Sequence, residues 1–146
     1  MPKSSYPPIR KSLAYVYSAK HLIDSDRSSP PALRKEVESL CDNMLIAFQQ
    51  ALKAEPLSEP LTKQLCDGAW ELAEVYKCLG DRGEALKKLD PILKQSLPNS
   101  SLAETIKGKI LIDYAWDARG TGYANTVSAE AWALMRDRLS DAEAAP

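Results

Sequence analysis

The stretch CDGAWELAEVYKCLGDRGEALKKLDPILKQSLP, residues 66–98, decides the fold. Its first half places Ala69, Leu72, Tyr76 and Leu79 three or four residues apart, and the pattern continues back through Leu65 and Leu61. That spacing is the period of one helix face and predicts a helix over about Leu61–Leu79. Gly80 stops it, because glycine takes positive φ without steric cost. Asp81 and Glu84 then stand three apart, the pattern of a cap and its reciprocal acidic partner. A second helix is predicted over about Arg82–Leu97, with Ala85, Leu86, Leu89, Ile92, Leu93 and Leu97 inward. Pro91 lies inside it, removes one backbone donor, and predicts a kink or a shortening. The break between the two runs is short enough to make them an antiparallel hairpin.

Similar signals extend in both directions. Upstream, a helix is predicted over about Ile9–Asp24, with Ile9, Leu13, Val16 and Tyr17 on one face. The run Ser25–Pro31 breaks it, with Ser29 as a cap for a helix over about Pro31–Ala54. Leu33, Val37, Leu40, Met44, Phe48 and Ala51 carry that helix's apolar stripe. Downstream, Pro98–Ser100 interrupts the chain, and Ser101 with Glu104 forms a second capping pair. A fifth helix is expected over about Leu102–Arg119, through Leu102, Ile106, Ile110 and Tyr114. The loop Gly120–Val127 leads to Ser128, which caps a sixth helix turning Trp132, Met135 and Leu139 inward. Val127 and Trp132 are placed as a hydrophobic staple. The tail Asp141–Pro146 is expected to fray.

Composition agrees with an all-α class. Leu and Ala number 19 each against 4 Val and 7 Ile, and Leu and Ala lose little on entering a helix. The 146 residues suit a single domain over 1–146 that needs neither disulfide nor metal to make a core. Three cysteines, Cys41, Cys66 and Cys78, without a C-x-x-C, signal neither a disulfide framework nor a zinc site. They read as reduced, buried thiols in a cytoplasmic protein. Net charge is −1, which gives no reason to expect nucleic acid as a partner. The best apolar stretch, Leu13–Ile23, is too short and too charged for a membrane span.

Residues 66–98 resemble a tetratricopeptide repeat (TPR), a two-helix unit of 34 residues. Leu72-Ala73 match its Leu-Gly pair, Tyr76 its aromatic three residues later, Gly80-Asp81 its turn, and Ala85 and Leu89 its second helix. Trp70 and Pro98 fall one place late, Ile92 stands where the family has a small residue, and Pro91 is atypical. Leu13, Ala14 and Tyr17 repeat the first-helix spacing, and Phe48, Ala51 and Pro56 that of a second helix. Ile110, Leu111 and Tyr114 hold the same places loosely. The flanking hairpins, about 7–56 and 101–141, are thus degenerate copies, with loops longer than the family's. The resemblance implies three stacked antiparallel hairpins in a TPR-like superhelix. Its concave groove would be lined by the first helix of each pair and would bind a protein or peptide. On this chain the groove places are Lys11, Tyr15 and Ser18, then Trp70, Glu74 and Lys77, then Ile112 and Trp116. The subfamily that binds chaperone C-terminal carboxylates needs Lys and Asn where this chain has Trp70 and Glu74, so that specific role is not implied.

Other residues point to chemistry less directly. His21 lies near a helix end with Asp24 and Asp26, where a protonated imidazole caps carbonyls. Asp113 and Asp117 share a helix face. Paired carboxylates serve acid–base or metal chemistry, but no histidine accompanies them, so a solvated face bridged to Arg119 or Arg136 is expected. The loop Gly120–Thr126 lacks both nucleotide-binding fingerprints, although Tyr123 and Asn125 make it a candidate contact site. Residues 1–35 carry seven Lys or Arg against two Asp, a net +5, and the remainder a net −6. The expectation is a non-enzymatic adaptor, chaperone or assembly factor without cofactor or metal. An oligomerising scaffold or regulatory subunit is the alternative. An enzyme built on Asp113, Asp117 and the Gly120–Thr126 loop is a third.

Overall fold

A computed structural model describes residues 6–25, 31–54, 56–120 and 127–144. Six α-helices account for most of them: α1 Pro8–Ser25, α2 Pro31–Ala54, α3 Glu59–Leu79, α4 Gly83–Ser96, α5 Ser101–Arg119 and α6 Ala129–Ala144. There is no strand among the described residues. The helices pair in chain order as antiparallel hairpins, α1 with α2, α3 with α4 and α5 with α6. Helix α3 also packs on both α1 and α5, so the three first helices lie side by side. Helix α2 meets α4 behind them, while α6 packs on α5 alone. No described helix is long and apolar enough to cross a membrane.

The apolar stripes account for the core. Val37, Cys41, Met44, Phe48 and Ala51 of α2 interlock with Leu65, Ala69, Leu72, Ala73 and Tyr76 of α3 and with Ala85, Leu89 and Leu93 of α4. Fully burying a side chain such as Phe48 or Leu72 contributes about 1.5–3 kcal/mol, so these layers dominate the favourable side of folding. The small Ala69, Ala73 and Ala85 let the helices approach closely. The helices α2, α3 and α5 begin and end within two residues of the expected places.

Helix α1 buries Ile9 and Val16 as expected, but Ser12 and Ala19 complete its buried face, and Ala14 and Tyr17 face outward. The reason is Ser12. Its Oγ donates to the Met44 carbonyl at 3.1 Å, which satisfies the hydroxyl inside the core. The inward trio is therefore Ser12, Leu13 and Val16, not Leu13, Ala14 and Tyr17.

Helix ends and interiors show further differences. The stop at Gly80 is as expected: φ is 124°, Gly80 N–H donates to Lys77 O and Asp81 N–H to Tyr76 O, both at 3.0 Å. Asp81 caps α4 through Gly83 N–H at 2.8 Å, but Glu84 pairs forward with Lys87 at 3.1 Å rather than back to the cap. At α5 the cap is Ser100, whose hydroxyl accepts from Leu102 N–H at 3.2 Å, and Ser101 is already helical. Asn99, at φ 55°, makes the turn ahead of it. Ser128 caps α6 by accepting from Ala131 N–H at 3.1 Å. Helix α4 runs unbroken through Pro91, whose ring faces solvent. Helix α6 runs to Ala144. The cap expected at Ser29 lies outside the described residues.

Two glycines separate packing from propensity. A Cβ at Gly83 would stand 2.9 Å from Tyr114 Cζ and 3.0 Å from its hydroxyl. That ring is held from another helix by Arg138, whose guanidinium lies 3.4 Å from the ring centroid. A Cβ at Gly108, inside α5, would meet nothing within 4 Å. We therefore expect Gly83→Ala to destabilise the protein by about 1–3 kcal/mol. Gly108→Ala should stabilise it by about 0.5–1 kcal/mol. Urea denaturation of the two variants tests both signs.

Asp90 of α4 accepts from Lys94 at 2.9 Å on its own helix and from Lys107 of α5 at 2.9 Å. The Lys94 hydrogen bond, with Lys107 adding to it, holds the carboxyl below its ordinary value against the opposing effect of burial. The folded chain thus binds this proton less readily than the unfolded chain. The stabilisation is complete above about pH 4 and is lost as pH falls through the lower folded value. Asp90→Asn should cost about 0.5–1 kcal/mol at neutral pH. The difference from wild type should close in acid, as read by thermal melts at stepped pH.

Candidate binding surface

The row made by α1, α3 and α5 presents most of the residues singled out from the sequence. Trp70 of α3 is half-buried against the core, with its indole N–H buried and unpaired. Lys109 of α5 places its ammonium 5.4 Å from the Trp70 ring centroid, close enough for cation–π attraction. Lys20 of α1 reaches across to Glu71 of α3 at 2.9 Å. Tyr17 is three residues before Lys20 and so shares that side of α1. It is 48% exposed. Ile112 is three residues after Lys109 and Trp116 seven, on one face of α5. They are 45% and 51% exposed.

Of the α1 places read from the resemblance, Ser18 is exposed, but Lys11 and Tyr15 are half-buried, and Tyr15 packs against the core. Arg10, Ala14 and Tyr17 face outward beside Ser18. The reading missed Tyr17 because Ser12 and Ala19 complete the buried face without it. A buried serine counts as polar in any periodicity, so no local signal corrects it.

Glu74 and Lys77, read as groove residues, belong to a charge network centred on Arg82. Its side chain is 4% exposed. Arg82 Nη1 donates to Glu74 Oε1 at 2.6 Å, Nε to Asp117 Oδ2 at 2.7 Å and Nη2 to Asp117 Oδ1 at 3.3 Å. Asp113 Oδ2 lies 3.9 Å from Nη1. Lys77 bridges to Asp117 at 3.6 Å and Lys109 to Asp113 at 2.7 Å. Burial alone would lower the Arg82 pKa, but the hydrogen bonds it donates to Asp117 and Glu74 outweigh it and raise the value. The guanidinium is therefore charged wherever the protein is folded. Asp113 and Asp117 serve this cation, not Arg119 or Arg136 as expected. Arg119 instead lies 5.4 Å from the ring centroids of both Trp116 and Trp132.

Beside the network, a cleft of about 730 Å³ runs between the α3–α4 turn and α6. One wall is charged, with Lys77, Asp81, Arg82 and Asp117, and the other is apolar, with Tyr114, Trp116 and Leu134. Leu134 was read neither as core nor as contact, and it is exposed. Arg138 closes the end, donating to the Tyr114 carbonyl at 2.7 Å.

The remaining candidates separate from this surface. His21 is exposed at the end of α1. Cys41 is buried, and desolvation pushes its thiol up to about 12, far from a reactive thiolate. Cys66 is buried too and is raised by the same cause. Cys78 is exposed, against the expectation of three buried thiols. Among the described residues no three His, Cys, Asp or Glu side chains gather as a metal ion requires. Tyr123 and Asn125, with most of the Gly120–Thr126 loop, lie outside the described residues.

Removing the buried guanidinium leaves three carboxylates facing one another across α3 and α5. Arg82→Ala should therefore cost about 3 kcal/mol, the low end for a broken buried pair because the carboxylates keep some solvent. Arg82→Lys should recover only part of this, since an ammonium cannot make the two-pronged contact with Asp117. Chemical denaturation gives both values.

No family model matches the chain, and no curated protein or solved structure shows significant similarity to it.

Proposed function

We propose that the chain is a TPR-like stack that binds a helix or extended segment of a partner protein along α1, α3 and α5. On this reading it acts as an adaptor, chaperone or assembly factor rather than as an enzyme. The observation that carries the reading is the exposed Ile112–Trp116 pair, set beside the half-buried Trp70 and across α3 from Tyr17. Large side chains one helical turn apart on a solvent-facing row are anchors of the kind that dominate protein interfaces. An aromatic anchor also gives contact area at low entropic cost. Glu74, Lys77, Asp113 and Asp117 are already paired through Arg82. They would set orientation at the rim rather than supply affinity. The same pairing supports the non-enzymatic reading, because carboxylates held by a guanidinium are not free to meet a substrate.

The test compares Ile112→Glu and Trp116→Ala with Ile46→Gln, an exposed apolar position on α2. Each variant is first shown by circular dichroism to be folded. Proteins captured by the wild type should be lost with the first two variants and kept with the third. Loss with Ile46→Gln alone would move the interface to the second helices. Identical capture by all the variants would remove the α5 row from the interface. A mass that rises with concentration and falls with Trp116→Ala would replace the foreign partner with a second copy of the chain.

A further inference from the structure

We propose that the outward face of α1 is a second docking surface, which takes an acidic peptide segment carrying an apolar side chain. It lies at the α1 edge of the α1–α3–α5 row, shares Arg10 and Ala14 with it, and is tested apart from the Ile112–Trp116 anchors. A groove of about 460 Å³ lies there, lined by Tyr6, Arg10, Lys11, Ala14 and Tyr15. Its volume falls within the range of about 300–1,000 Å³ typical of built ligand sites.

The Ala14 methyl and the tyrosine rings make the groove apolar, and two adjacent cations flank it. Arg10 is exposed and Lys11 half-buried. Neither forms an ion pair among the described residues, whereas Lys20 on the same helix is paired to Glu71. Cations left without counter-charges at the edge of an apolar groove select a ligand that is apolar at its centre and acidic at its ends. The wider field acts in the same direction. Residues 1–35 carry +5 and the rest of the chain −6, so an acidic segment is drawn to this end and repelled from the other.

A protein segment fits better than a polyanion. Nucleic acid and anionic membranes are held by runs of cations that follow repeated phosphates. Here there are two cations around an apolar floor, on a molecule of net charge −1.

The probe is a fluorescein-labelled peptide with one central tryptophan flanked by aspartates, titrated with the full chain. Its anisotropy should rise saturably, and the affinity should fall with added salt. Arg10→Glu should weaken binding roughly tenfold. Ala14→Glu, an exposed change in the groove itself, should do the same. Arg136→Glu, an equal change of charge at an exposed position of α6, should leave binding unaltered. Backbone amide shifts should concentrate on residues 6–15. Three results would overturn the proposal: no saturation at millimolar protein, equal binding by wild type and Arg10→Glu, or shifts centred on residues 105–116. Tighter binding of single-stranded DNA or phosphatidylserine vesicles that is lost in Arg10→Glu would assign the face to a polyanion instead.

Discussion

The Arg82 guanidinium, buried at the turn between α3 and α4, ties that turn to α5 by charge on top of the apolar packing they share. It gathers Glu74 from α3 and Asp113 and Asp117 from α5. The next residue, Gly83, admits the Tyr114 ring of α5, and Arg138 of α6 stacks on that ring. Four helices therefore meet within a few residues of one turn. The arrangement matters because the third hairpin has little core of its own. Met135 is the one buried apolar side chain among the described side chains of α6. Helix α5 joins the common core through Leu102, Ala103, Ile106 and Ile110, and the cation, the ring and the close backbone approach add to that packing. Such joints depend on geometry, since a half-satisfied polar cluster costs more than an apolar one.

That joint also shapes the surface. With α5 drawn against α3, Ile112 and Trp116 stay exposed on the face of α5 that also carries Lys109. The joint also occupies the carboxylates that would otherwise be the most reactive groups on the row. What is left for a partner is mainly apolar and aromatic, with charge at the rim. The outward face of α1 has the opposite character: its two cations form no ion pair among the described residues, and its floor is apolar.

Much of this was legible in the residues. The stripes of α2, α3 and α4 are strict enough to identify the buried faces, and Gly80, Pro98 and Ser128 mark element ends for reasons of local chemistry. Departures arose where a side chain's role depends on a distant partner. Ser12 is buried because a carbonyl 32 residues away accepts its proton. Glu84 could have closed a box on Asp81, but Lys87 lies closer to hand. Pro91 sits on the solvent side of α4, where the missing donor is tolerated without a break.

The sequence by itself determined that this chain is all-α, where most of its six helices start and stop, and that they fold back as three hairpins. These features depend on the spacing of apolar residues and on caps, which act over a turn or two of chain. Only the tertiary structure decided which residues complete the buried face of α1, the pairing of Asp113 and Asp117 with Arg82, and which aromatics face solvent. Each of these depends on groups tens of residues apart. Whether a polar atom is buried, or a ring exposed, is settled by what another helix brings to it.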